Sequence, residues 1–244
     1  MLNPVGEELW TVEGPIVSFY SFPYPTRMAV ARLANRQLWL WSPIALSSEL
    51  AEELEKLGEV RYLVAPNKLH HLFLTEWAEQ YPGARLYAAP GLAKKRSDLA
   101  FSAELRDESP SEWQNEIDQT VIGGSFVMNE VVFFHRPSRS ALVCDLIQKH
   151  DKSAFSGWRR WAMQLDGMVG ADGSTPREWR ATFSKRAVAR AGRDTVLDWN
   201  PRQLIVAHGR VIARMDWVVA MVSQAGQPHS GLRRGQLSII SSMS

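Results

Sequence analysis

The sequence has one cysteine in 244 residues, so no disulfide can form within the chain and a disulfide-stapled scaffold is excluded. No apolar run approaches the roughly 18 residues that a membrane-spanning helix needs. The opening residues, Met1-Leu2-Asn3-Pro4-Val5-Gly6, bring neither a basic lead nor an apolar core. No secretory leader is therefore expected, and a cytoplasmic, membrane-free protein is. An excess of one charge is also missing: 28 Lys and Arg against 26 Asp and Glu leave +2, which gives no footprint for general nucleic-acid binding. Repeats, low-complexity tracts and linkers are absent, so residues 1–244 are expected to form one domain, with the tail after about residue 227 loosely held. What is present is apolar side chain, 45% of residues with ten tryptophans. That is enough to offset the ordering entropy of the chain, and it excludes intrinsic disorder.

Residues 15–20, 26–33 and 37–41 read as three strands of an antiparallel meander, with Phe22-Pro23-Tyr24-Pro25 as a turn or loop between the first two. Trp39 and Trp41 share a strand face and should cover the core. Ser47 and Gly58 bracket leucines at 50, 54 and 57, which predicts a capped helix. A strand over 60–65, a helix over 72–80 and a strand over 85–89 then predict α/β layering with parallel pairing. Further strands are expected at 117–122, 125–128, 131–135, 140–145 and 202–207. Thr175-Pro176 should open a helix running to about 191. Residues 151–171, with Trp158 and Trp161, read as a helix or covering segment, and 211–222 as a final amphipathic helix.

Three of the apolar runs end in residues able to bind a metal. Tyr62-Leu63-Val64-Ala65 leads through Pro66-Asn67-Lys68-Leu69 into His70-His71; Ala141-Leu142-Val143-Cys144 leads into Asp145; Leu204-Ile205-Val206-Ala207 leads into His208-Gly209. Loops at the carboxyl ends of strands form the crevices of α/β sheets, and imidazole with carboxylate suits zinc or iron. A histidine at a strand end also serves as a hydrogen-bonded structural residue, and Asp145 could cap its loop. The residues alone leave both readings open.

The order of these elements resembles the metallo-β-lactamase superfamily, whose members carry a His-x-His-x-Asp-His loop after a buried strand, an Asp after a later strand and a His-Gly after the last. The likeness runs from about Trp10 to Ala220. The stretches around Phe22–Met28, Ala65–Leu74 and Thr175–Arg180 further resemble an uncharacterised bacterial branch of that superfamily, a domain of unknown function. The resemblance implies an α+β fold, a four-layer αββα sandwich of two mixed β-sheets. It also implies which metal positions survive. Pro66 and Lys68 stand where two ligands of the first metal belong, and residues 122–126 lack the third, so the first site is gone. The second is represented by His70, His71, Asp145 and His208, with His70 in place of a carboxylate.

The resemblance thus implies a single-metal hydrolase. His70, His71, Asp145 and His208 would be the ligands of one divalent ion, zinc or iron, and an activated water would attack a small-molecule substrate. Asp145 and Lys68 would be its catalytic residues, the Lys68 ammonium replacing the missing cation and suiting an anionic substrate. The alternative is a catalytically silent binding domain of the same fold with no metal. Lys68 also reads as a solvated loop lysine, and Lys94-Lys95-Arg96 as a solvated face that could hold an anion at the same rim. Arg159-Arg160 could form a minor nucleic-acid surface beside its tryptophans. Cys144 is expected to be an inert core thiol, and neither His135 nor His150 a ligand.

Overall fold

The computed structural model describes residues 1–19, 22–148, 175–209 and 212–213. The expectations for residues 151–171, for His150 and for the tail lie outside them. The first sheet has seven strands in chain order: β1 (Asn3–Gly6), β2 (Leu9–Phe19), β3 (Phe22–Arg32), β4 (Gln37–Trp41), β5 (Glu59–Ala65), β6 (Arg85–Ala88) and β7 (Phe101–Glu104). It is antiparallel up to β4 and parallel from there, with α1 (Ser48–Leu57), α2 (Leu74–Gln80) and the short α3 (Leu92–Lys95) in the connections. Ser47 caps α1 by accepting from the Leu50 amide at 3.2 Å, as its sequence requires. The second sheet runs β12-β11-β10-β9-β8, from β8 (Ile117–Ile122), β9 (Glu130–His135), β10 (Ser140–Val143), β11 (Gln203–Val206) and β12 (Ile212–Ala213). In this sheet β10 and β11 are parallel. Before β11 come α4 (Arg177–Ala181) and α5 (Arg186–Trp199).

The two-residue period of the strands separates the core into layers. Trp39 and Trp41 of β4, with Tyr62 and Val64 of β5, face Leu142, Cys144 and Ile205 of the second sheet. Leu38, Leu40 and Leu63 point the other way, onto Leu50 and Leu54 of α1 and Trp77 of α2. Val143, Leu204 and Val206 pack outward against Val196 and Leu197 of α5. Three apolar layers between four layers of secondary structure make the expected αββα sandwich. Cys144 is fully buried in the middle layer, where burial pushes its thiol well above the ordinary range. Among the described residues no helix is long and apolar enough to cross a membrane.

Four local expectations are corrected. Phe22-Pro23-Tyr24-Pro25 is not a turn: it opens β3, pairing Pro23 with Ser18 and Pro25 with Ile16. The neighbouring β4 reaches only Ala29 to Arg32 of β3, so both prolines lie on an open edge, where a missing N–H removes no ladder bond. Residues 125–128 make one isolated bridge, Ser125 to Phe183, rather than a strand. That bridge, with the Lys185 amide donating to the Gly124 carbonyl at 3.0 Å, breaks the expected helix over 175–191 into α4 and α5. Ile212–Ala213, expected in a helix, is instead strand β12.

His135 closes β9 fully buried, with Nδ1 2.8 Å from Ser138 Oγ. Burial lowers its pKa to about 4. Since the unfolded ring titrates near 6.5, the unfolded chain takes up a proton that the native one refuses; stability is complete above that pH and falls as pH drops toward 4. Denaturant melts of the parent should lose up to about 3 kcal/mol over that window through this residue. A His135→Gln variant should show a correspondingly shallower acid slope.

Candidate metal centre

The carboxyl ends of β5, β10 and β11 lie at one rim of the sandwich. The chain leaving β5 turns on Asn67, a fully buried side chain whose Oδ1 accepts from the amides of Leu69 (2.8 Å) and His70 (3.1 Å). This Asx-type turn presents His70 inward. Asn67 Nδ2 donates to Asp145 Oδ2 at 2.8 Å and to Glu130 Oε2 at 3.3 Å, joining the first loop to the second. Glu130, at the start of β9, accepts the amides of Cys144 (2.7 Å), Asp145 (2.8 Å) and Leu146 (3.1 Å), which fixes the backbone that carries Asp145. Burial and the Asp145 charge push the Glu130 pKa up to about 8, against the pull of these donors. On the third loop, buried Arg27 is paired with Glu13 and donates to the Val206 carbonyl at 2.7 Å, which anchors the end of β11 two residues before His208.

Three side chains converge. His208 Nε2 is 3.0 Å from Asp145 Oδ1, His70 Nε2 is 3.3 Å from Asp145 Oδ2, and the two Nε2 atoms are 3.2 Å apart. Each Nδ1 is held from behind: His70 by Ser42 Oγ at 2.7 Å, and His208 by the Pro25 carbonyl at 2.7 Å. A carbonyl only accepts, so His208 Nδ1 carries a proton and Nε2 is its ligand atom. In the neutral ring the Nε2 lone pair would face a carboxylate oxygen, a repulsion relieved only by a cation between them, either a second proton or a metal ion. The electrostatics say the same. Burial opposes ionisation of Asp145, but the His70 charge and hydrogen bonds from both imidazoles hold its carboxyl well below the usual range. His208, which burial would lower, is raised by its bond to Asp145.

The donor set fits a divalent ion. Zinc bonds of 2.0–2.1 Å in a tetrahedron put ligand atoms about 3.3 Å apart, matching the observed 3.0–3.3 Å. Rings fixed through the opposite nitrogen are the usual outer support of metal-bound histidine. Three protein ligands are the number that leaves a coordination position open.

Residues 6–156 match the family described as a domain of unknown function, DUF4336. The chain belongs to that family. A comparison with the curated proteins finds no match by sequence. In structure, this DUF4336 chain is similar to a metallo-β-lactamase of Pseudomonas aeruginosa in its mono-zinc form, with TM-score 0.61, 12% identity and coverage of 93% of this chain and 94% of that one. It is also similar to a metallo-β-lactamase from Pontibacter korlensis, at 0.57 and 11%, covering 93% and 99%. A diflavin flavoprotein fragment from Nostoc, described as putative in its own name, matches at 0.62 and 10%, covering 93% and 94%. The fold of this chain is therefore that of the metallo-β-lactamases.

Of the four ligands expected from sequence, His70, Asp145 and His208 come together, and His71 stands apart. The His71 ring turns to Arg96, whose guanidinium donates to His71 Nδ1 and to its carbonyl, both at 3.0 Å. Its one lone pair is thereby used, and burial with the charges of Lys95 and Arg96 lowers its pKa to about 4. Lys68 lines the cavity before the cluster, but its side chain lies over Gly91, where a Cβ would stand 2.9 Å from Nζ. It makes no ion pair with Asp145. Sequence reasoning missed Asn67, Glu130 and Ser42 as supports. The available signals were a Pro-Asn pair directly after a buried strand and a lone carboxylate at the head of the apolar run Val131-Val132-Phe133-Phe134.

Proposed function

We propose that this chain is a single-metal protein of hydrolase type, its ion held by His70, Asp145 and His208. The observation that carries the reading is the His208 Nε2 facing Asp145 with Nδ1 committed to the Pro25 carbonyl. The mono-zinc form of a structural neighbour supports it. The two imidazoles and one carboxylate suit zinc or iron(II). Such an ion polarises a carbonyl or phosphoryl oxygen and acidifies water. The chain's own residues orient the site: Ser42 and Pro25 fix the rings, and Asn67 fixes the carboxylate. In this reading Lys68, on the cavity wall with its side chain over Gly91, would hold negative charge on a substrate rather than assist at Asp145 directly.

The test is calorimetric titration of chelator-stripped protein with zinc. One equivalent per chain is expected for the parent and none at the same concentrations for His208→Ala. The silent binding domain is the competing reading, since the cluster can also satisfy itself with protons. It predicts no uptake by the parent and a melting temperature indifferent to EDTA.

A further inference from the structure

The cluster opens into a cavity of about 780 Å³, within the size range of small-molecule sites. Its walls are apolar over most of their extent, built from Val17, Ile44, Phe73, Val127, Met128 and Trp179. The apolar surface continues outward. Among the described residues six large hydrophobic side chains are exposed, and three of them, Leu72, Phe126 and Val127, are at or next to lining positions. Scattered exposed apolar residues need no explanation, but a concentration at one mouth marks a binding surface.

The charged lining is one-sided. Asp145 is committed to His70, His208 and Asn67, whereas Lys68 and Lys95 share one wall, with Lys95 Nζ donating to the Lys68 carbonyl at 2.8 Å. Neither lysine forms a salt bridge with a carboxylate of the described residues. Gly91, at φ +78°, leaves the gap through which the Lys68 ammonium reaches its place. A larger side chain at 91 would meet Lys68 and would strain that backbone.

From this arrangement we propose that the cavity takes an amphipathic monoanion, a molecule with an extended apolar body and one carboxylate-like head group paired with Lys68. The proposal deepens the reading of the site above by naming its substrate class, and it takes from that reading only that this cavity is where substrate meets the cluster. The body would lie along the apolar walls and the mouth, while the head group gains a charge-assisted hydrogen bond inside a partly desolvated pocket.

The experiment is calorimetric titration of the full chain in EDTA with decanoate, decanol, decyltrimethylammonium and acetate, repeated with Lys68→Met. Decanoate should bind about tenfold more tightly than decanol, the size of effect expected from one charge-assisted contact. Acetate and the cationic amphiphile should give no measurable binding. Lys68→Met should bring decanoate down to the level of decanol and leave decanol unchanged, with an unaltered melting temperature. Equal binding of decanoate and decanol by the parent, or no loss in Lys68→Met, would overturn the proposal without touching the metal reading. Selective decanoate binding in a protein that takes up no zinc would uphold it and remove the metal reading instead.

Discussion

Asp145→Ala is expected to lower zinc affinity at least about 100-fold. That figure is the upper end of what loss of an outer partner costs a metal site, and a direct ligand must exceed it. The loss has two parts. The carboxylate supplies the only negative charge among the three converging donors, so without it a divalent ion would be held by two neutral rings alone. It is also the hub that spaces those rings, at 3.0 Å from His208 Nε2 and 3.3 Å from His70 Nε2. Asp145→Asn separates the two, keeping an oxygen and the volume while removing the charge, and should fall between parent and Ala. Competition titration against a chromophoric chelator would measure all three. Equal affinity in parent and Asp145→Ala would place any bound metal elsewhere.

Glu130→Ala should cost about 4 kcal/mol of stability, among the larger effects open to a single substitution. Glu130 is fully buried, and its two oxygens accept three backbone amides in succession, at Cys144, Asp145 and Leu146. Removal leaves three buried donors without acceptors, each worth about 1–3 kcal/mol, offset in part because the desolvation of a buried carboxyl is no longer incurred. Glu130→Gln keeps the volume but turns an amide NH₂ toward at least one of those donors, so about 2 kcal/mol is expected. Denaturant unfolding checks both. A change within 0.5 kcal/mol for Glu130→Ala would mean that the amides find water and that the loop is not organised from β9. The same variant should weaken zinc binding, since Asp145 would lose its backbone anchor, although none of its ligand atoms would be altered.

The parts of this protein legible in its sequence are those governed by local pattern. The switch from period two over β4 to the leucine spacing of α1 is written in the residues, as are the serine and glycine that bound the helix. His70, Asp145 and His208 were visible because each follows a run of apolar residues at the end of a strand, where loops meet. His71 was misplaced because adjacent residues in a turn point to different neighbours, and its partner Arg96 lies 25 residues away. Glu130 escaped notice for a similar reason. A carboxylate at the head of an apolar run reads as a wet strand end until β9 and β10 are known to be antiparallel neighbours, which carries it beneath the loop after β10. The prolines of β3 and the break between α4 and α5 were likewise decided by which strand ends short of them and which loop inserts, contacts that no local window contains.

The proposed function requires one ion among three side chains from three loops. Diffraction from zinc-loaded crystals at the zinc absorption edge would locate it. A single anomalous peak is expected in each chain, bounded by His70 Nε2, His208 Nε2 and the Asp145 carboxylate. A peak at His71 or elsewhere on the surface, or none at all beside well-ordered His70 and His208 rings, would contradict the proposed function.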